Sequence, residues 1–435
     1  MKNKAIDIFL NAVESVKPKQ MIHTQIEWKD GLLKIGENNF PMYRYEHIYL
    51  LAAGKAAAQM AEAMEEILGD KITEGIVITK YGHATPLMRS EVIEAGHPIP
   101  DAAGVAGMQK FTETAEKAAE KDLVICLISG GASALMADLP ENITLDELRL
   151  TNDLLVKSGA DISEINCIRK HLSKIKGGQL ANIIYPATTV TLILSDVVGD
   201  QIDVIASGPT APDSTTFSEA IAIVHKYRLT AQLPRNITNY LKAGNAGRIP
   251  ETPKSDNPVF QKVYNFVIGN NQKALEAASK RAEELGFESY LITDALQEDL
   301  LNVAEFIIEK TAAYQEKSSQ TPVCLLFGGE PTVKVTGNGT GGRNQHLALY
   351  LASRIQEMKG ITILCAGTDG TDGPTDAAGA VVDCNTYQSA KNRNIDPDTY
   401  LTAFDSYHFF KAVGGLLTIG NSGTNVMDLC IVLIN

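Results

Sequence analysis

The chain has 435 residues, 44% of them hydrophobic and 21% charged, with a net charge of −13 and an isoelectric point near 5.2. That length exceeds one ordinary hydrophobic core, and the composition is that of a globular protein rather than a disordered one. The acidic balance argues against nucleic-acid or anionic-lipid partners, so an anionic ligand would need a local basic pocket.

At the start, Lys2 and Lys4 are followed by Asp7, which interrupts the apolar run, while Ile6, Phe9, Leu10, Val13 and Val16 fall on one helical face. The pattern predicts a packed helix and not a signal peptide. Residues 48–53 predict a buried strand that leads through Gly54-Lys55 into a helix striped by Met60, Met64, Ile67 and Leu68. Further strands are predicted at 75–79, 123–129 and 188–195, with helices over 102–119 and 145–157 between them. Residues 244–261, with glycine, three prolines and mixed charge, predict a linker. Beyond it, strands at 265–268, 288–293, 323–327, 332–336, 361–366 and 429–434 alternate with helices at 272–285, at 302–317 and along Leu347, Leu351, Ile355 and Met358.

Continuous apolar strands separated by helices predict an α/β protein. The expectation is two α/β domains, residues 1–245 and 246–435, with mainly parallel, helix-covered, Rossmann-like sheets flanking an interdomain cleft. No apolar run approaches the roughly 18 residues of a membrane span. The six cysteines are scattered, without a C-x-x-C pair, and read as buried reduced thiols, so a cytoplasmic protein is expected.

The predicted strands end in small and functional residues, the edge at which open parallel sheets bind ligands. Lys55 can reach a phosphate or carboxylate from its turn, although a helix start disfavours a cation. Ser129, Gly130, Gly131 and Ser133 offer N–H groups and hydroxyls to an anion, or form an ordinary tight turn. Residues 163–178 hold the one basic patch, with Arg169, Lys170, His171, Lys174 and Lys176; most of these read as a solvated helix face. His97 and His171 read as structural. Asp196 suits magnesium, a substrate hydroxyl or an N-cap, and Asp369, Asp372, Asp376 and Glu330 share the ambiguity.

The densest signal runs from Thr332 to Asp369. A short β-branched strand is expected to empty into Gly337-Asn-Gly339-Thr-Gly341-Gly342, followed by a helix opening at Arg343-Asn344. The G-x-G-x-x-G spacing, a guanidinium at the helix start and aspartates after the next strand suit phosphoryl transfer.

The chain resembles the glycerate 2-kinase family, also called class II glycerate kinases, whose C-terminal part is the MOFRL domain, here about residues 321–430. The resemblance is carried by Ala53-Gly-Lys-Ala56, Gly96-His-Pro-Ile-Pro-Asp101, Leu127-Ile-Ser-Gly-Gly131, Arg169-Lys-His-Leu-Ser173, Ser195-Asp-Val-Val-Gly-Asp200, Ala206-Ser-Gly-Pro-Thr210, Gly341-Gly-Arg-Asn-Gln345, Gly367-Thr-Asp-Gly370 and Gly423-Thr-Asn-Val426. It implies ATP-dependent phosphorylation of D-glycerate to 2-phosphoglycerate, with ATP and Mg²⁺ or another divalent cation. Lys55, Asp196 and Arg343 match the family's active-site positions. Ser129, Gly130, Gly131, Ser133, Arg169, Lys170, Gly339, Gly341, Gly342 and Asn344 are expected to bind substrate or phosphate. Asp196, Asp369 and Glu330 are the expected metal ligands. Glycerate and ATP are the expected partners, without nucleic acid or membrane, and a homodimer is compatible with the resemblance. His346 and Ala132 depart from the family pattern, which places an acidic residue and a glycine there. The alternatives are an NAD(P)H-dependent hydroxypyruvate reductase, supported by the G-x-G-x-x-G and Asp369, and a two-domain sensor of small anions.

Overall fold

The structure, a computed structural model, describes residues 1–317 and 321–435. The chain divides into two units, one of residues 21–195 and 200–268, the other of residues 1–20, 196–199 and 269–435.

In the first unit, β1 (Ile26–Lys29), β2 (Leu32–Ile35) and β3 (Asn38–Pro41) form a small antiparallel sheet. The main sheet contains β4 (Ile48–Ala53), β5 (Glu74–Lys80), β6 (Ser90–Ala95), β7 (Leu123–Ile128), β8 (Thr188–Leu194) and β9 (Val263–Gly269), in the order β6-β5-β4-β7-β8-β9. Every pair from β6 to β8 is parallel. All six positions of β4 and of β7 are buried, as expected of central parallel strands covered on both faces. The helix Ala57–Leu68 buries Met60, Met64 and Leu68 together with Ala57, Ala58, Ala61 and Ala63, small residues that let it lie close to the sheet.

The second unit is built on β10 (Glu288–Leu296), β11 (Val323–Gly329), β12 (Ile361–Gly367), β13 (Gly379–Asp383), β14 (Leu416–Leu417) and β15 (Asp428–Ile434). Their order is β10-β11-β15-β12-β13-β14. This sheet departs from the expected parallel arrangement, because β10–β11 is its only parallel neighbour pair among the described residues. The last strand, β15, runs antiparallel between β11 and β12, which therefore point the same way. Strand direction was hidden because β11, β12 and β15 are buried at all seven positions each, and a continuous apolar run looks the same in either direction. The buried Asn271 side chain donates to Val426 O (2.8 Å) and Asp428 O (3.0 Å) and so fixes where β15 begins.

The unit boundaries also differ from the 245/246 division expected from sequence. The proline-rich stretch belongs to the first unit, where Thr252 donates to the buried Asp213 (2.9 Å) and Asp213 N–H donates to Pro253 O. The opening helix, Lys2–Ser15, belongs to the second, held by Lys2–Asp383 (3.1 Å) and Arg281–Asp7 (2.7 Å). Its buried face is Ala5, Ile8, Phe9, Ala12 and Val13; Leu10, expected inside, is 42% exposed. Residues 332–336 form no strand. Thr332 makes a single bridge to Asp299, and Val335 is exposed. Among the described residues no helix is long and apolar enough to cross a membrane.

A close contact between strand ends lies at Gly54, with φ +132°, where an added Cβ would lie 2.1 Å from Ser129 Oγ and 2.5 Å from Ser129 O. Gly54→Ala should cost roughly 2–4 kcal/mol through strain and overpacking. Urea unfolding should show it, and a variant within ~0.5 kcal/mol of the parent would show that the two loops do not touch as described.

Candidate functional site

In the first unit, β4 and β7 are neighbours, and the turns after them are stitched together. Lys55 N–H donates to Gly130 O (2.9 Å), and Ala56 N–H donates to Ser129 Oγ (3.1 Å). Ser129 and Gly130, expected to bind an anion, thus spend a hydroxyl and a carbonyl on the Lys55 turn. Gly131 takes φ +85°, and a Cβ there would approach His97 Nε2 at 2.8 Å and Lys55 Cγ at 3.3 Å. The Lys55 stem and the His97 ring therefore both lie against Gly131.

These loops border a cavity of about 280 Å³, lined among others by His97, Gly131, Ser133, Asp138, Asn152, Arg169 and Lys176. Its size is near the lower end of the roughly 300–1,000 Å³ common for small-molecule sites. The cations around it are treated differently. Lys176 Nζ is bound by Met136 O (2.7 Å) and Asp138 Oδ1 (3.1 Å). Asp138 also accepts from Ser173 Oγ and the Lys174 N–H. Lys170 is buried and shared by Asp203 and Asp213, each at 3.3 Å, so the structure gives it an internal role instead of the expected place in an anion site. Arg169 donates from Nε to Asn152 Oδ1 (2.9 Å) and has no carboxylate partner among the described residues. Burial lowers its pKa, the expected sign for a desolvated cation without a counter-charge. An uncompensated guanidinium on a cavity wall is suited to bind a carboxylate or phosphate in a bidentate way.

The sequence alone predicts a structural role for His97. It lines the cavity, and among the described residues its ring nitrogens have no hydrogen-bond partner. Burial, then the charges of Lys55 and Lys80 and the proximity of His83, hold its pKa down to about 4, so the ring is neutral at pH 7. Only its place in the Gly96–Asp101 motif marked it in the sequence. Asp138 and Asn152 gave no separate signal, and Lys176 showed only as part of the basic patch.

In the second unit, the helix Arg343–Arg354 begins beside the glycine-rich segment as expected, but its N-terminus is already filled. Asp372 accepts from Asn344 N–H (3.0 Å), Gln345 N–H (2.8 Å) and Asn344 Nδ2 (3.3 Å). The chain's own carboxylate thus takes the place proposed for a ligand's phosphate. Gly342 is required by that carboxylate, because a Cβ would meet Asp372 Cγ at 2.2 Å. Gly337 and Gly339 press on Ala403 and Asp405, and Gly341 on Ser406. Gly339 N–H donates to Ala403 O (2.8 Å) and Thr340 N–H to Asp405 Oδ1 (2.9 Å), so these two N–H groups serve the loop. With no strand before the glycines and an aspartate at the helix start, the segment is not a dinucleotide-binding turn.

Arg343 donates from Nε and Nη2 to Asp428 (2.5 and 3.1 Å) and from Nη1 to Glu330 (2.8 Å). Burial opposes its charge, yet the bond and charge of Asp428, with Glu330 and Asp372 beyond, raise its pKa. Asp428, the first residue of β15, pairs in register with Gly329 and Gly367 and so holds the arginine where β11 and β12 end. In the sequence Asp428 looks like no more than the edge of an apolar strand.

The three expected metal ligands do not form a cage. Glu330 is held by Arg343, and Asp369 Oδ1 accepts from Thr371 N–H (3.0 Å) and Thr371 Oγ1 (3.2 Å). Among the described residues no group of three or more His, Cys, Asp or Glu is arranged to hold an ion. Half-buried Asp196 follows β8 by two residues. A magnesium ion carried on nucleotide phosphates needs only one or two protein carboxylates.

Burial raises the Asp372 pKa to about 6; the Gln345 and Asn344 N–H groups oppose the rise, and the Asp428 charge adds to it. Unfolded, the group titrates near 3.8. Its contribution to stability is therefore complete below pH ~4 and lost as pH rises through ~6. Relative to Asp372→Asn, the parent should lose roughly 2 kcal/mol of unfolding free energy between about pH 4.5 and 7 in denaturant titrations. A pH-independent difference would contradict the burial described.

Comparison with known proteins places these features in a family. Residues 4–242 match a family described as Domain of unknown function (DUF4147), and residues 323–428 match the MOFRL family. A glycerate 2-kinase of Pyrococcus horikoshii is 41% identical, covering 97% of this chain and 95% of its own. A D-glycerate 2-kinase of Thermotoga maritima is 40% identical over 100% of this chain and 98% of its own. The crystal structure of glycerate kinase from Thermotoga maritima superimposes with a TM-score of 0.87 at 40% identity, covering 100% of this chain and 99% of that one. A crystal structure of a Pyrococcus horikoshii protein gives 0.86 at 40% identity, with 100% and 98% covered. The chain belongs to the glycerate kinase family and carries that family's MOFRL region at its C-terminal end.

Proposed function

We propose that the protein transfers the γ-phosphoryl of ATP to the 2-hydroxyl of D-glycerate, giving 2-phosphoglycerate and ADP. The observation that carries this reading is Arg169, whose guanidinium has no counter-charge among the described residues and borders a cavity of hydroxy-acid size. Glycerate is a small anion bearing two hydroxyls. Arg169 takes its carboxylate, while Ser133 and neutral His97 offer polar contacts on the same wall.

Lys55 supplies the positive charge that opposes the growing charge on the transferred group and the bridging oxygen. Its backbone is fixed by Gly130 and its stem by Gly131, so little rearrangement is needed during the reaction. Asp196 would hold the nucleotide's magnesium or orient a substrate hydroxyl. The ion would supply charge neutralisation at the phosphates when bound. Arg343 has five N–H donors, and Asp428 and Glu330 use three of them, which leaves two for an anion at its own unit. Five of the six thiols are buried and none is bridged, which supports a cytoplasmic setting.

Lys55→Ala should remain folded and lose about 10² to 10³ in kcat, the effect of removing one preorganised donor. Arg169→Ala should raise the glycerate KM about 10- to 100-fold, the value of a charge-assisted bond, with the ATP KM little changed. A coupled ADP assay measures both, and phosphorus NMR of the product reads the position of the new ester. Unaltered glycerate KM in the arginine variant would remove the cavity from the site. NADH oxidation by hydroxypyruvate without ADP formation from glycerate would replace the kinase reading with the reductase one.

A further inference from the structure

Ser133 is the cavity-lining hydroxyl whose hydrogen bonds can be followed inward. Its Oγ lies 3.0 Å from Ser207 Oγ, and Ser207 Oγ donates to Asn166 Oδ1 at 3.1 Å. Ser207 and Asn166 are buried, and both belong to the same unit as the cavity. A hydroxyl has one proton. Ser207 gives its proton to the amide oxygen, so it can only accept from Ser133. Ser133 has then spent its own proton inward and presents only lone pairs to the cavity.

The backbone holds this direction at a conformational cost. Ala206 and Ser207 adopt φ +53° and +59°, left-handed values that non-glycine residues avoid, followed by Gly208 at +61°. Their carbonyls are anchored from outside: Gly177 N–H donates to Ser207 O (2.9 Å) and Gly178 N–H to Gly208 O (2.7 Å). The strained turn aims the Ser207 hydroxyl at Ser133.

We infer that Ser133 binds the substrate's non-reacting hydroxyl as a hydrogen-bond acceptor, with Ser207 and Asn166 as positioning residues that set its polarity. Phosphate and carboxylate oxygens need donors, so they are poor partners for an oxygen that can only accept. The chain of hydroxyls ends on an amide carbonyl, which does not take up a proton, so Ser133 orients a hydroxyl and does not deprotonate it. For transfer to the 2-hydroxyl, the hydroxyl held is the 3-hydroxyl. This inference rests on the cavity reading above and assigns the specificity of that same site.

The test compares the KM of D-glycerate with the inhibition constant of D-lactate, which keeps the carboxylate and 2-hydroxyl and lacks the 3-hydroxyl. In Ser207→Ala the Ser133 proton is released from its inward bond, and the preference for glycerate over lactate should shrink about tenfold while the ATP KM stays put. Asn166→Asp keeps an acceptor for Ser207 and should keep the preference. Ser133→Ala, at a half-buried position, should lose it as Ser207→Ala does and serves if the latter fails to fold. A preference within twofold of the parent in both serine variants, or equal weakening of the two acids, would overturn the inference. Arg169→Ala separates the layers. If it weakens both acids equally while the serine variants leave the preference intact, only the polarity assignment fails. If it weakens neither, the cavity reading fails.

Discussion

The backbone contact between Gly54 and Ser129 sets the geometry on which the rest of the candidate site depends. Two adjacent parallel strands end there, and the turns that follow approach more closely than any side chain allows. That approach lets the Lys55 N–H reach Gly130 O and the Ser129 hydroxyl cap the Ala56 N–H. It also lays the Lys55 stem on Gly131 beside His97. A lysine at a helix start is poorly placed electrostatically. Here the surrounding hydrogen bonds fix its backbone, so its position follows from the sheet.

Charge compensation separates the matched cations from Arg169, which has no carboxylate partner among the described residues. Lys170 and Lys176 are buried and matched to carboxylates, and Arg343 is matched to two. Removing a partner from a buried pair leaves a buried charge, so the two lysines hold the fold, while Arg343 keeps two N–H donors beyond its carboxylates. Arg169 meets an amide oxygen and the cavity instead. The protein as a whole carries a net charge of −13, so a guanidinium without a carboxylate partner on the wall of a small cavity is a local exception able to select an anion.

Much of the architecture was legible because the apolar strand runs are long and their flanking glycines conspicuous; β4, β7, β8 and β12 fall within a residue or two of their predicted bounds. The direction of β15 was not, since full burial removes the alternation that would betray its neighbours. Val333 and Val335 imitate a strand but find no partner beyond the Thr332 bridge. The glycine-rich segment was misread in its purpose. Its glycines clear space for Ala403, Asp405, Ser406 and Asp372, contacts more than 25 residues away that no local pattern records. Lys55 and Arg169 were visible as charged residues, but whether each is compensated depends on side chains brought in by other elements. Asp428 and Asn152 were invisible for the same reason.

The most direct measurement of the central claim is a crystal structure of the protein with D-glycerate. The account predicts the acid in the cavity of the first unit, its carboxylate within hydrogen-bond distance of the Arg169 guanidinium. Glycerate bound elsewhere, with the Arg169 side chain untouched, would contradict it.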